Sequence, residues 1–323
     1  MENEVKRLAV LTSGGDAPGM NACIRSVVRH GIYNGFEMVG VVKGYNGLLT
    51  NEMIPLTNRS VGNIINRGGT LLRTARCLEF KTEEGQQLAL ENIKKNNIHG
   101  VVVIGGDGSL RGCNDLTKMG IPAIGIPGTI DNDLAYTDYT LGFDTAVNTV
   151  VDAITKIRDT MASHDRVSII EVMGNKCGDI ALYAGICGGA EYIIVPEYKW
   201  SYEKLCKKLE ESKESGKTSS IVIVAEGAVK GAALAEVIKQ STSMDTRTSV
   251  LGYIQRGGTP SADDVLLASR FGAHAINLIK QGIGGRCVGI KNNKIFDMDI
   301  DEACSMKKEF NKELYDIAEI LSR

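Results

Sequence analysis

The stretch from Val101 to Asp133, VVVIGGDGSLRGCNDLTKMGIPAIGIPGTIDND, leaves a chain few folds to choose from. Two apolar runs, Val101 to Ile104 and Ala123 to Ile126, each stop abruptly in glycine, carboxylate and hydroxyl residues. Short β-branched runs without polar alternation read as strands buried on both faces, and the segment between them, Ser109 to Lys118, reads as a helix. Strand, helix, strand is a βαβ unit, and such a crossover joins parallel strands. Ligands of parallel sheets sit outside the carboxyl ends of the strands. The loops Gly105-Gly106-Asp107-Gly108-Ser109 and Pro127-Gly128-Thr129-Ile130-Asp131-Asn132-Asp133 are therefore expected at one crevice.

The chemistry of these loops is that of phosphate. Glycines let a backbone approach a ligand closely, and a helix starting near Ser109 turns its free N–H groups and positive dipole end to the same place. No Gly-Lys-Ser/Thr follows, so this is not a Walker loop, and Arg111 stands at the third glycine of a GxGxxG pattern. Asp107 would repel a bare phosphate, so a carboxylate there points to Mg2+ lying between it and a nucleotide. Taken alone, GGDGS is also an ordinary strand-to-helix turn. Asp131 and Asp133 suit phosphoryl transfer, one accepting the proton of an attacking hydroxyl while the other positions or tunes it. Asp-Asn-Asp is common in plain turns as well, so the pairing of the two loops carries the argument.

Composition narrows the class. A chain of 323 residues, 43% apolar and 24% charged, is that of a soluble globular protein with room for about two domains. A formal charge of −2 leaves no basic field for nucleic acid or an anionic membrane, so anionic substrates must be held by local clusters. The eight cysteines form no CxxC pair and the four histidines do not stand at zinc-ligand spacing near them, which reads as reduced thiols. The start MENEVKRLAV lacks an apolar signal region and no run approaches membrane length, so a cytoplasmic location is expected.

Further strands are expected at Leu8 to Leu11, Glu37 to Val42, Val167 to Val172, Tyr192 to Val195 and Ser220 to Ala225. Helices are expected at Met20 to Tyr33, Thr82 to Asn96, up to about Ala162, from about Gly178, at Tyr202 to Ser215, from the N-cap Ser261 to Lys280, and at Asn311 to Leu321. The succession of β and α after residue 166 predicts a second parallel sheet.

GGDGS and PGTIDND at consecutive strand ends, with Thr12-Ser13-Gly14-Gly15-Asp16 and the run Arg247-Thr248-Ser249-Val250-Leu251-Gly252-Tyr253-Ile254-Gln255-Arg256-Gly257-Gly258, resemble the ATP-dependent 6-phosphofructokinases of the bacterial type. The resemblance extends over nearly the whole chain. It implies an α/β fold of two parallel-sheet α/β/α domains with the active site in the cleft between them. Residues 1–142 with 255–305 would form a larger ATP-binding domain, and 143–254 with 306–323 a smaller fructose-6-phosphate-binding one. Carried onto matching positions, Asp131 is the general base for the sugar's 1-hydroxyl, Asp133 assists, and Thr129 and Gly15 belong to the catalytic set. Gly15, Tyr45, Arg76, Cys77, Gly106, Asp107, Gly108 and Ser109 line the ATP site, with Asp107 the Mg2+ ligand. Arg166, Met173, Gly174, Glu226, Arg247, Tyr253 and Arg256 hold fructose 6-phosphate. Relatives supply the equivalents of Arg166 and Arg247 from a neighbouring subunit, which implies a homo-oligomer, normally a tetramer. Arg25, Arg29, Arg158, Glu191 and Lys217 match a pocket for an ADP or phosphoenolpyruvate effector, although Arg25 and Arg29, at i and i+4, also read as a solvated helix face.

Gly108 and Gly128 favour ATP over pyrophosphate, because pyrophosphate-using relatives tend to carry aspartate and lysine there. Three positions depart from the family. Asn175 replaces an arginine facing the transferred phosphate, with Lys176 the candidate substitute; Tyr253 replaces a histidine; and of a basic run in the effector pocket only Lys217 remains. Asn175 and Tyr253 keep a weakly catalytic, sugar-phosphate-binding paralogue in view beside the kinase.

Overall fold

The computed structural model describes residues 5–161 and 166–322, so the expected helix end at Ala162 lies outside the described residues. The chain forms two compact units. The first runs to Ile130 and resumes over Leu134–Asp144 and Arg256–Lys308; the second holds Asp131–Asp133, Thr145–Gln255 and the stretch from Glu309 onward.

In chain order the first unit begins with β1 (Arg7–Ser13), α1 (Met20–Tyr33), β2 (Glu37–Val41), α2 (Tyr45–Leu49), β3 (Met53–Leu56), α3 (Glu83–Lys95), β4 (Ile98–Gly105), α4 (Asp107–Lys118) and β5 (Ala123–Pro127). Helix α5 (Phe143–Met161) carries the chain into the second unit. There follow β6 (Val167–Val172), α6 (Asp179–Cys187), β7 (Tyr192–Ile194), α7 (Tyr202–Glu214), β8 (Ser220–Ala225), α8 (Gly231–Thr242) and β9 (Thr246–Val250). After a 3-10 turn at Gly252–Arg256, α9 (Ala262–Lys280), β10 (Arg286–Lys291), β11 (Lys294–Asp299) and α10 (Ile300–Ser305) return to the first unit, and α11 (Lys312–Leu321) belongs to the second.

The first unit is a seven-stranded sheet in the order β11-β10-β5-β4-β1-β2-β3. Its strands alternate as buried strands must: Ala9, Leu11, Val101 and Val103 enter one core with residues of α2, α3, α4 and α10. Their neighbours face the opposite layer, where α1 and α9 pack on each other. The sheet is parallel only from β10 to β2; both edge strands, β3 and β11, run antiparallel. For β11 the cause is local. Asn292 and Asn293 both take left-handed backbone, φ 49° and 60°, which is the two-residue turn that folds a strand straight back on its neighbour.

The second unit is a four-stranded, wholly parallel sheet in the order β7-β8-β6-β9. Strands β6 and β8 are buried throughout, as strands of a sheet covered on both faces should be, and β6 buries Ser168 and Glu171 along with its apolar residues. Leu205, Cys206 and Leu209 of α7 and Leu234, Ala235 and Ile238 of α8 close one core, while α6 and α11 pack together. Several helix starts follow the capping rule: Thr82, Ser201, Ser261 and Asn311 each accept a backbone N–H with the side chain, an interaction worth about 1 kcal/mol.

Candidate active site

In the first unit the switch in strand order falls between β1 and β4, which run parallel side by side while their crossovers leave to opposite sides. That is where an open α/β sheet binds a ligand. The two glycine loops meet there. A Cβ on Gly14 would lie 3.4 Å from Ser109 Oγ, and one on Gly105 would lie 2.5 Å from both Ser109 Oγ and Ser13 O, so this approach requires glycine at 105. Thr129 lies against Gly106, and its carbonyl accepts from Thr140 Oγ1 at 2.6 Å. Thr74 donates to the carbonyl of Gly14, bringing the segment that carries Arg76 and Cys77 to the loop, with Arg76 exposed and Cys77 half-buried.

Helix α4 begins at Asp107, two residues earlier than the sequence pattern suggested, with Gly106 as an N-cap that has no capping side chain. Asp107 therefore sits in the first turn, where a carboxylate is favoured by the helix dipole. Both of its oxygens accept from Arg111 at 3.0 Å, and this bond raises the pKa of the guanidinium further. The Asp107 side chain keeps 46% of its surface exposed. An exposed carboxylate at a helix N-terminus above a glycine loop fits Mg2+, which takes one or two protein oxygens and completes its shell with water and phosphate. The described residues contain no cluster of three or more His, Cys, Asp or Glu side chains able to cage a metal, and a nucleotide-borne Mg2+ needs none.

Two positions have different surroundings from those their roles suggested. Tyr45 is buried, stacked on Phe80 at 4.4 Å, with its hydroxyl donating to Ser109 O at 2.6 Å. The ring belongs to the hydrophobic core beneath the loop, because α2 lays its apolar face on the sheet. Of the two donor-selecting glycines, only Gly108 faces open space; a Cβ on Gly128 would come within 2.9 Å of Ile104 and 3.2 Å of Met20. Packing alone thus explains Gly128. Arg256 Nη1 donates to Asp16 O at 3.1 Å and would lie 2.2 Å from a Cβ on Gly15, so Gly15 is the bed on which this guanidinium rests.

In the second unit the residues assigned to fructose 6-phosphate divide between the two ends of one sheet. Met173, Gly174 and Glu226 follow the carboxyl ends of β6 and β8. Asn175 N donates to Glu226 Oε1 at 3.1 Å, and Met173 N donates to the buried Gln255 at 3.1 Å, which anchors the turn presenting an exposed Tyr253. Asn175 has left-handed backbone, φ 55°, a conformation asparagine tolerates better than arginine does. Arg166 and Arg247 instead lie at the amino ends of β6 and β9, joined by Asp245, whose Oδ2 accepts from Arg166 Nε at 2.6 Å and from Arg247 Nη2 at 3.4 Å. The Arg166 bond holds the Asp245 carboxyl below the usual carboxylate range. A rise of about 3.3 Å per residue separates Arg166 from Met173 by roughly 23 Å along the strand.

The buried carboxylate of Glu191 gathers Lys217 Nζ at 2.7 Å and Arg158 Nη1 at 3.6 Å. Arg25 and Arg29 stand on α1 of the first unit. Sequence reasoning missed Asp245 and the Arg111 fork. The second was readable, since Asp107 and Arg111 are i and i+4 on a helix; the first depends on strand register, which pairs Val167 with Thr246.

Residues 7–279 match the family model described as phosphofructokinase. The chain belongs to the phosphofructokinase family. It is 55% identical over 319 residues to ATP-dependent 6-phosphofructokinase 1 of Clostridium perfringens, covering 99% of this chain and 100% of that one. It is 57% identical over 318 residues to the ATP-dependent 6-phosphofructokinase of Clostridium novyi, covering 98% and 100%. Among solved structures, the phosphofructokinase of Pichia pastoris superposes with a TM-score of 0.89 at 33% identity, over 100% of this chain and 37% of the longer yeast chain. Among the described residues no helix is long and apolar enough to cross a membrane.

Proposed function

We infer that the chain transfers the γ-phosphoryl group of ATP to the 1-hydroxyl of fructose 6-phosphate, giving fructose 1,6-bisphosphate and ADP in glycolysis. The observation that carries this reading is the convergence of two glycine loops on adjoining strands β1 and β4, with Asp107 opening α4 beside them. Gly108, facing open space, leaves room for the α-phosphate of a nucleotide, where an aspartate would repel it.

In this mechanism the hydroxyl oxygen attacks the γ-phosphorus in line with the departing ADP oxygen, and Asp131 accepts the hydroxyl proton. Asp133 tunes Asp131, and Thr129, packed against Gly106, orients the phosphate being transferred. Asp107 would hold Mg2+, which neutralises charge on the phosphates when it is bound with ATP. Arg76 and Arg256 supply rigid cationic forks for phosphate oxygens. Glu226 accepts from sugar hydroxyls, and Met173, Gly174 and Tyr253 frame the sugar phosphate.

Arg166 and Arg247 stand too far from Glu226 along their sheet to serve the same hexose phosphate in the same chain. We assign them to the substrate of a second copy, which makes the active form a homo-oligomer and the expected state a tetramer. Arg25, Arg29, Arg158, Glu191 and Lys217 are assigned to an ADP or phosphoenolpyruvate effector, with weak control because a single lysine remains of the basic run. A cytoplasmic location follows from the substrates.

The test is initial rates with fructose 6-phosphate and Mg2+, comparing ATP with pyrophosphate. Turnover with ATP alone is expected. Turnover with pyrophosphate alone would reverse the donor assignment, and sugar-phosphate binding without turnover from either donor would leave the paralogue reading.

A further inference from the structure

Between Asp131 and Asp133 stands a residue with no part in the chemistry above. Asn132 is 1% exposed and has left-handed backbone, φ 50°. Its amide nitrogen donates to Asp179 Oδ2 at 2.9 Å. Asp179 is itself buried, at 8% exposure, and is the first residue of α6, where the helix dipole favours the charged carboxylate. The carbonyl of Asn132 also receives Cys177 Sγ at 3.9 Å, a weak contact.

Residues 173–179 form one continuous turn from the carboxyl end of β6 into α6. Gly174, at φ 137°, allows Cys177 N to donate to Gly174 O at 2.8 Å; any Cβ there would lie 2.3 Å from Cys177 O. Gly178 N is fixed by Glu197 Oε1 at 2.8 Å, and a Cβ on Gly178 would meet Val195 at 2.5 Å. The turn is therefore stiff, with the sugar-framing residues Met173 and Gly174 at one end and Asp179 at the other. Asn132 fastens the aspartate loop to the second end.

We propose that Asp179 is a positioning residue. Through Asn132 it fixes the loop of Asp131 and Asp133 to the turn that frames the acceptor sugar, so that base and hydroxyl approach in a constant geometry. The left-handed residue kinks the backbone between the two aspartates, and the buried charge-assisted bond holds that kink. Both partners are buried, where a hydrogen bond is electrostatically stronger than it is at the surface.

This inference rests on the reading of Asp131 as the base. It predicts that Asp179→Leu, close in volume but without an acceptor, lowers kcat by about 10- to 100-fold, as loss of alignment does elsewhere. KM for fructose 6-phosphate and its calorimetric Kd should stay within about threefold, because the groups that bind the sugar are untouched. Asp179→Asn keeps an acceptor oxygen and should recover turnover to within about threefold of the parent. Asn132→Gly preserves the left-handed backbone while deleting the amide, so it tests the bond even if Asp179→Leu does not fold, and it should lower kcat by at least about tenfold. Unchanged kcat in Asn132→Gly, or a loss that appears in KM alone, overturns the proposal. Asp131→Asn separates the two claims. If it retains parental turnover, the base assignment fails; if it abolishes turnover while Asp179→Leu and Asn132→Gly do not lower kcat, the positioning role alone fails.

Discussion

At the carboxyl end of β6 and β8 the second unit is built largely of backbone, whereas at the amino end of the same strands it is built of charge. The carboxyl end holds Gly174 and Asn175 in left-handed conformations, and a Cβ on Gly227 would come within 2.1 Å of the Asn175 carbonyl oxygen. The amino end holds Arg166 and Arg247 on a shared Asp245, all with side chains between 31% and 63% exposed. A parallel sheet has unlike ends, and only its carboxyl end gathers loops that can close around a ligand. Guanidinium groups at the other end face outward, as groups offered to another molecule would.

Changes at the two ends should therefore fail in different ways. The largest effect belongs to Asp131→Asn in the second unit, whose neighbour Asn132 is bonded to Asp179 beyond the carboxyl end of β6; loss of a general base lowers kcat by about 10²- to 10⁴-fold, measured by steady-state rates at saturating substrate. Next is Arg247→Ser at the amino end, which should raise KM for fructose 6-phosphate by roughly 10- to 100-fold, from about 1.5–3 kcal/mol for a charged hydrogen bond, with little change in thermal midpoint. Gly227→Ala reverses that pattern. Crowding Asn175 O should cost about 1–3 kcal/mol of stability, read by chemical denaturation.

The smallest effect is on pH dependence. Asp245, depressed by its bond to Arg166, contributes stability that is fully present above the unfolded carboxyl's pKa, about 3.9, and is lost as pH falls through its lower folded value. Asp245→Asn should therefore lower the thermal midpoint slightly at neutral pH, where that contribution is present in the parent, and flatten the acid limb below about pH 4, where the parent loses it. An unchanged acid limb would show that Asp245 does not hold the arginines in solution.

Much of this was legible in the sequence because it depends on local pattern. The limits of α1, β6 and β8 fall on the residues at which apolar periodicity starts and stops, and Ser261 announced α9. The antiparallel edges were less legible, because β11 has half-buried, mixed residues with no apolar run, and its direction is set by the asparagine pair before it. Strand β9 hid inside a polar motif, TRTSV, and so did the pairing of Arg166 with Asp245. Tyr45 showed the converse limit: resemblance placed it at the nucleotide crevice, whereas its ring, on the first residue of α2, packs against Phe80 in the core.

The most direct test of a site completed by a second copy is subunit mixing. Asp131→Asn and Arg247→Ser, each nearly inactive at low fructose 6-phosphate, would be unfolded together, refolded as hybrids and assayed against each protein refolded alone. If Arg247 serves another copy's substrate, some hybrid sites receive both defects and others neither, so activity reappears with the parental KM. If both residues act within one chain, every site in the hybrid carries a defect, and activity stays at the level of the separate variants.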